Sequence, residues 1–205
     1  MDQQPTITLY GVRKNGRRER TSLHINSLFE AREVAKRILR LGKGLYTEVD
    51  IGTVDGTVET IGKADLPAEA SEVLLVEDNA GDALLVGQAL ENSSTPVHLN
   101  IARDGDQALQ ILSEPDYKPD LIILDLNIPR ISGYAVLASY EGKKTTPVVV
   151  FSASQNDADV DRALSLGARE FVHKPLELDE YKSAVSGMVR KWTTYDPASA
   201  ETLPW

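Results

Sequence analysis

The chain contains no cysteine, which excludes disulfides, thiolate metal sites and cysteine nucleophiles. Its histidines, His24, His98 and His173, stand far apart in sequence, so structural roles are expected for them rather than a shared metal. There is no Gly-rich nucleotide loop, no internal repeat and no low-complexity tract. The opening stretch MDQQPTITLYG lacks the charged-then-apolar pattern of a signal peptide. The longest apolar runs, such as LIIL and PVVVF, are far too short to span a membrane. The expectation is a soluble cytoplasmic protein without a membrane partner. In that setting the glycosylation pattern at Asn92-Ser-Ser94 carries no meaning.

The sequence has 205 residues, 41% hydrophobic and 26% charged. That is enough apolar material for one large domain or two small ones, and it rules out wholesale disorder. With 22 basic and 31 acidic residues the net charge is −9, so the whole chain is a poor candidate for nonspecific nucleic-acid binding. The charge is uneven. Residues 1–65 hold 11 basic and 9 acidic side chains, and residues 66–205 hold 11 and 22. The first part is therefore at +2 and the second at −11, a split that marks separate modules. The stretch Gly62-Lys-Ala-Asp-Leu-Pro-Ala-Glu-Ala-Ser71 is small, polar and interrupted by Pro67, as a linker is. The expected organisation is a small module over 1–62, a linker over 63–71, a larger domain over 72–192 and a tail over 193–205.

The first module reads as a small α+β unit of order ββαββ. Alternation around Ile7, Leu9 and Tyr10 gives a strand. Asn15-Gly16 fits a type I′ hairpin turn, with a returning strand at Leu23-His24-Ile25. Ser27 to Glu30 fits a capping box. Ala31, Val34, Ala35, Ile38 and Leu41 follow at helical spacing, with Gly42 at C′. Thr47, Val49 and Ile51 alternate again, and Asp55-Gly56 turns the chain toward Val58. At about 60 residues such a unit is marginal on its own.

From residue 72 onward, strand and helix patterns alternate. Strands are expected at Val73–Val76, Val97–Ala102, Leu121–Leu124, Val148–Phe151 and Glu170–His173. Helices are expected around 82–91, 105–113, 133–140, 157–165 and 177–191. The third and fourth strands are almost wholly apolar, as when both faces of a parallel strand are covered. This rhythm predicts a doubly wound α/β fold.

Ligands of such sheets bind beyond the carboxyl ends of the strands. Glu77 and Asp78 follow the first of these strands, Asp125 and Asn127 the third, Ser152 the fourth and Lys174-Pro175 the fifth. Three carboxylates, a hydroxyl and a lysine thus converge on one sheet edge. Adjacent carboxylates repel, and a hard divalent cation such as Mg²⁺, which takes oxygen ligands and keeps several waters, relieves the repulsion. A carboxylate can itself attack phosphorus and form an acyl phosphate, while the cation and a lysine offset the charge of the arriving group.

The segments VLLVEDNAGD, ARDGDQAL, PDLIILDLNIPRISG, TPVVVFSAS and LGAREFVHKPLE, spread over about 60% of the chain, resemble the receiver domain of two-component response regulators, the CheY-like family. The resemblance implies a flavodoxin-like five-stranded parallel sheet of order 2-1-3-4-5. It implies that Asp125 is the phosphoacceptor and that Mg²⁺ is held by Glu77, Asp78, Asp125 and the backbone carbonyl of Asn127, with Asp78 the direct ligand of the acidic pair. It implies that Ser152 is the switch hydroxyl, that Lys174 pairs with the phosphoryl group, and that Pro175 follows through a cis bond. Phe171 falls at the switch-aromatic position. The partner implied is a sensor histidine kinase. The stretches VEDNAGDALLVGQALE and KPLELDE are further similar to receiver-only regulators of bacterial phytochromes, which implies a phytochrome-type kinase and a homodimer through the receiver.

The resemblance does not reach residues 1–62. Arg13, Lys14, Arg17, Arg18 and Arg20 make the hairpin basic, and Arg32, Lys36, Arg37 and Arg40 do the same for the helix. A solvated face fits this charge better than a nucleic-acid or acidic-protein surface, because Glu19, Glu30 and Glu33 dilute it; docking on the acidic receiver is a third alternative. For the chain as a whole the alternatives to a phosphorylated switch are a Mg²⁺-dependent phosphohydrolase using Asp125 and nucleic-acid binding through the first module. Beyond the last helix, Trp192, Tyr195 and Trp205 lie in or next to a tail expected to fray.

Overall fold

The structure, a computed structural model, describes residues 7–21, 25, 27–41, 45–52, 58–66, 70–91, 96–115 and 117–193. The chain divides into two compact units, one of the residues up to Ala70 together with His98–Ile101, the other of the rest.

In the first unit, β1 (Thr8–Val12), β2 (Arg18–Thr21), α1 (Leu28–Leu41), β3 (Glu48–Gly52) and β4 (Val58–Gly62) follow one another, the expected ββαββ order. The antiparallel sheet runs β2-β1-β3-β4. Leu9, Val49, Ile51 and Ile61 point to one face and pack with Ala31, Ala35 and Leu39 of α1. Leu39, which the spacing argument passed over, is one of the most buried residues of the helix.

The hairpin differs from expectation. The returning strand starts at Arg18, not Leu23, because Arg13 N–H bonds the Arg17 carbonyl at 2.9 Å and Gly16 N–H bonds the Arg13 carbonyl at 2.8 Å. Only Gly16 of the turn has positive φ, +79°, so this is a three-residue loop with a glycine bulge rather than a type I′ turn. Ser27 does cap α1, accepting from Glu30 N–H at 3.1 Å. Leu23, His24, Gly42, Asp55-Gly56, Pro67, the Asn92-Ser-Ser94 pattern, Tyr195 and Trp205 lie outside the described residues.

Several basic side chains of this unit are ion-paired. Arg13 meets Glu19 at 2.9 Å, Arg18 meets Asp50 at 2.6 Å, Arg32 meets Glu59 at 2.9 Å and Lys36 meets Glu33 at 2.6 Å.

From Ser71 onward β5 (Ser71–Val76), α2 (Ala80–Glu91), β6 (Val97–Ala102), α3 (Gly105–Leu112), β7 (Leu121–Leu124), α4 (Gly133–Ser139), β8 (Val148–Ser152), α5 (Asp157–Ser165), β9 (Glu170–His173) and α6 (Leu178–Thr193) alternate. The sheet order is β6-β5-β7-β8-β9, the 2-1-3-4-5 winding that the resemblance implies, with β5–β7, β7–β8 and β8–β9 paired in parallel. Every residue of β7 and β8 is buried, which is why those strands read as unbroken apolar runs. α2 begins two residues before its expected start. The Asn79 side chain accepts from Gly81 N–H at 2.8 Å and Asp82 N–H at 3.3 Å, satisfying amides that a helix start leaves free. Among the described residues no helix is long and apolar enough to cross a membrane.

Gly133 opens α4 directly against the acceptor loop. A Cβ there would press on the Asp125 carbonyl and lie 2.7 Å from Leu126 Cα. Backbone cannot give way as a flexible side chain can. Gly133→Ala is therefore expected to lose about 2 kcal/mol in urea unfolding, with chemical-shift changes concentrated at residues 125–127.

Candidate functional site

Four strands deliver the site. The carbonyl of Val76, the last residue of β5, accepts from Asp125 N–H at 3.0 Å, which fixes Asp125 beside Glu77. The Ser152 carbonyl at the end of β8 accepts from Lys174 N–H at 2.8 Å, which sets the lysine one strand over from its hydroxyl neighbour. Residues far apart in sequence thus share one edge because parallel pairing sets their register.

Lys174 is the centre. Its Nζ donates to Glu77 Oε2 at 2.6 Å, Asp125 Oδ2 at 2.7 Å and Asp82 Oδ2 at 2.8 Å. An ammonium has three protons, and here each has a carboxylate. The lysine and Glu77 side chains are 9% and 3% exposed. Burial pulls the Lys174 ammonium toward neutrality, but hydrogen bonds to Asp125, Asp82 and Glu77 more than offset this and raise it. Burial pushes the Glu77 carboxyl up to about 7 against the opposing pull of Lys174. The other oxygen of Asp125, Oδ1, accepts from Asn127 N–H at 3.1 Å. The Phe151 ring backs the site, 5.9 Å from Lys174 Nζ and edge-to-face with Tyr181 at 5.0 Å.

Of the sequence-predicted residues, Glu77, Asp125 and Lys174 are thus in direct contact or share one partner. Asp78 and Asn127 lie exposed at the same edge. Ser152 is fully buried, its Oγ accepting from Ser154 N–H at 3.4 Å. Phe171 is half-buried on β9, its ring 5.1 Å from that of His173. The cis bond implied for Pro175 is not found: among the described residues every peptide bond is trans, the form X–Pro bonds favour by about 0.5–1 kcal/mol.

Sequence reasoning missed three features. Asp82, to which the motifs assign no role, holds Lys174. Its signal was its place one helical turn beyond Asp78, on the first turn of α2. Tyr181 on α6 buries its hydroxyl without a hydrogen-bond partner among the described residues; burial, and then the charge of Asp82, raise it. The loop after β8 is tied down by Asp159, which accepts from Ser154 Oγ at 2.5 Å and Tyr134 OH at 2.6 Å. The hydrogen bonds from Ser154 and Tyr134 lower the Asp159 carboxyl, while burial and Asp159 push Tyr134 up to about 12. Arg162 lies over the Tyr134 ring at 4.0 Å.

A model of the response regulator receiver domain matches residues 73–186. The chain belongs to the response regulator receiver family. Receiver relatives include the response regulator Rcp1 of Synechocystis, 35% identical over 128 residues, covering 58% of this chain and 87% of that protein. The probable methanogenesis regulatory protein FilR2 of Methanothrix harundinacea is 32% identical over 127 residues, covering 58% and 82%. Among solved structures, the phosphorylated cyanobacterial phytochrome response regulator RcpA superposes with a TM-score of 0.58 at 33% identity, over 62% of this chain and 98% of that one. The Mn(2+)-bound form of Rcp1 gives 0.57 at 33%, over 66% and 99%. Residues 1–72 lie outside the receiver match.

The receiver site offers hard oxygen donors: the Glu77, Asp78 and Asp125 carboxylates and the Asn127 carbonyl. Among the described residues no three carboxylate or histidine side chains form a group that could hold a metal ion. Mg²⁺ does not ask for one, since it is usually held by one or two carboxylates with waters and a phosphate. The donor set therefore fits a hard divalent cation.

Proposed function

We propose that this protein is a phosphorylated switch of a two-component relay, with Asp125 accepting a phosphoryl group from a phosphohistidine of a sensor histidine kinase. The observation that carries the reading is the Lys174 ammonium held 2.7 Å from Asp125 and 2.6 Å from Glu77 at the strand ends. In the transfer a carboxylate oxygen of Asp125 forms a bond to phosphorus as the bond from phosphorus to the histidine nitrogen breaks, and the electron pair stays on that nitrogen. Asn127 N–H, bonded to Oδ1, steadies the carboxylate for attack. Lys174 donates to a phosphoryl oxygen as negative charge shifts toward it. Asp78, Asp125 and the Asn127 carbonyl, backed by Glu77, would hold Mg²⁺, which neutralises phosphoryl charge when bound.

Ser152 starts buried, and swinging its hydroxyl to the phosphoryl group would pull on the loop that runs to Ser154 and Asp159. That loop also touches β9, where His173 Nδ1 meets the Ser154 carbonyl at 2.7 Å. Movement there changes the surroundings of Phe171 and shifts a pre-existing equilibrium of the α5–β9–α6 face. Leu164 of α5, Leu178 of α6 and Leu176 of the loop between β9 and α6 are exposed. The output in this reading is altered partner binding or a receiver homodimer, and residues 72–192 are its working unit. Similarity to Rcp1 and to the phytochrome regulator RcpA supports a phytochrome-type kinase upstream.

Acetyl phosphate with Mg²⁺ tests this by intact mass. A labile single adduct is expected, lost in Asp125→Asn and without Mg²⁺. No adduct in a folded, Mg²⁺-binding protein would refute the reading.

A further inference from the structure

We propose that Asp82 is a positioning residue that occupies the solvent-facing side of Lys174 at rest and must release it for phosphoryl capture. The inference rests on Asp125 being the phosphoacceptor. Each of the three Lys174 protons is already bonded to a carboxylate. A phosphoryl oxygen can reach the ammonium only by displacing one of them.

The three partners differ in how readily they yield. Glu77 is 3% exposed, so a carboxylate freed there cannot turn to water. Asp125 is 10% exposed and is the group that the phosphorus must reach, so its oxygen stays beside the ammonium while the donor docks. Asp82 is 28% exposed, and its carboxylate returns to water when released. A donor also arrives from solvent, the side on which Asp82 stands. Asp82 and the incoming group thus compete for one proton of Lys174. Its place on the first turn of α2 offers a second, purely local role near the helix N-terminus, which the test must separate.

The test uses the full chain and initial rates of acetyl phosphate labelling at saturating Mg²⁺. Asp82→Asn keeps the shape and removes the charge. It is expected to react about tenfold faster than the parent, the size expected when a charge-assisted hydrogen bond gives way to the weaker one that an amide oxygen accepts. Asp82→Glu, which keeps both charge and acceptor, is expected to stay near the parent rate. The same Asp82→Asn change made on Lys174→Ala, with incubation lengthened to give a measurable slope, is expected to do little, because the effect acts through the lysine. Equal acceleration in both backgrounds would mean plain charge repulsion and would overturn the proposal, as would an unchanged or slower Asp82→Asn.

A second readout needs neither metal nor donor. The Lys174 ammonium should give a ¹H–¹⁵N signal protected from exchange in the parent and lost in Asp82→Asn. A signal indifferent to Asp82 refutes the hold directly. A responsive signal with no adduct in the parent refutes the phosphoacceptor reading, and phosphoryl capture with it, rather than the hold.

Discussion

Lys174→Ala is expected to lower the unfolding free energy of the metal-free protein by about 3 kcal/mol at neutral pH. The lysine is the shared cation of Glu77, Asp82 and Asp125, so its loss leaves three carboxylates facing one another. Two of these side chains are 3% and 10% exposed, so water cannot replace the ammonium. Asp125→Asn has the opposite sign. Three acids already exceed one cation, and removing a charge while keeping the shape is expected to leave stability equal or higher. Urea unfolding of both variants, metal-free and with Mg²⁺, checks the pair. A site in which Lys174 is a bystander would give equal and small changes for both.

The second large effect is on pH. The Glu77 carboxyl is pushed up from its ordinary 4.5 to about 7 by burial, despite Lys174. The folded state therefore binds a proton more tightly than the unfolded chain between those values. Stability from this group is fully present below about pH 4.5 and falls as pH rises toward 7, by at most about 3 kcal/mol. Lys174 acts in another window: its ammonium is raised, so its contribution is lost only as pH climbs above the ordinary lysine value of 10.5. The metal-free protein is expected to lose stability between pH 5 and 7.5, and Mg²⁺ is expected to remove the slope because a cation favours ionised Glu77. Glu77→Gln should remove it without metal. A flat profile in the parent, or an unchanged slope in Glu77→Gln, would contradict the assignment.

The receiver sheet was legible because its physics is local. Leu121–Leu124 and Val148–Phe151 are covered on both faces, and only apolar residues survive there. The residue after each such strand must then sit at the open edge, which is how Glu77, Asp125 and Lys174 could be found. Asp82 was not legible in the same way. Its role depends on which way the first turn of α2 faces toward a lysine 92 residues later, and spacing alone does not encode that. The clasp of Tyr134, Ser154 and Asp159 likewise joins α4 to the loop after β8 through side chains with no motif. At the first hairpin, Asn15-Gly16 fits two turn types equally well. Only the bond from Arg13 N–H to the Arg17 carbonyl decides between them, and the choice moved the returning strand by five residues from Leu23 to Arg18.

The central claim is that Asp125 itself carries the phosphoryl group. Labelling with acetyl phosphate and Mg²⁺, followed by borohydride reduction and peptide mapping, tests it most directly, because reduction of an aspartyl phosphate leaves homoserine in place of the aspartate. The account predicts homoserine at position 125, absent without Mg²⁺. Aspartate retained at 125, or homoserine at 78 or 82 instead, would contradict it.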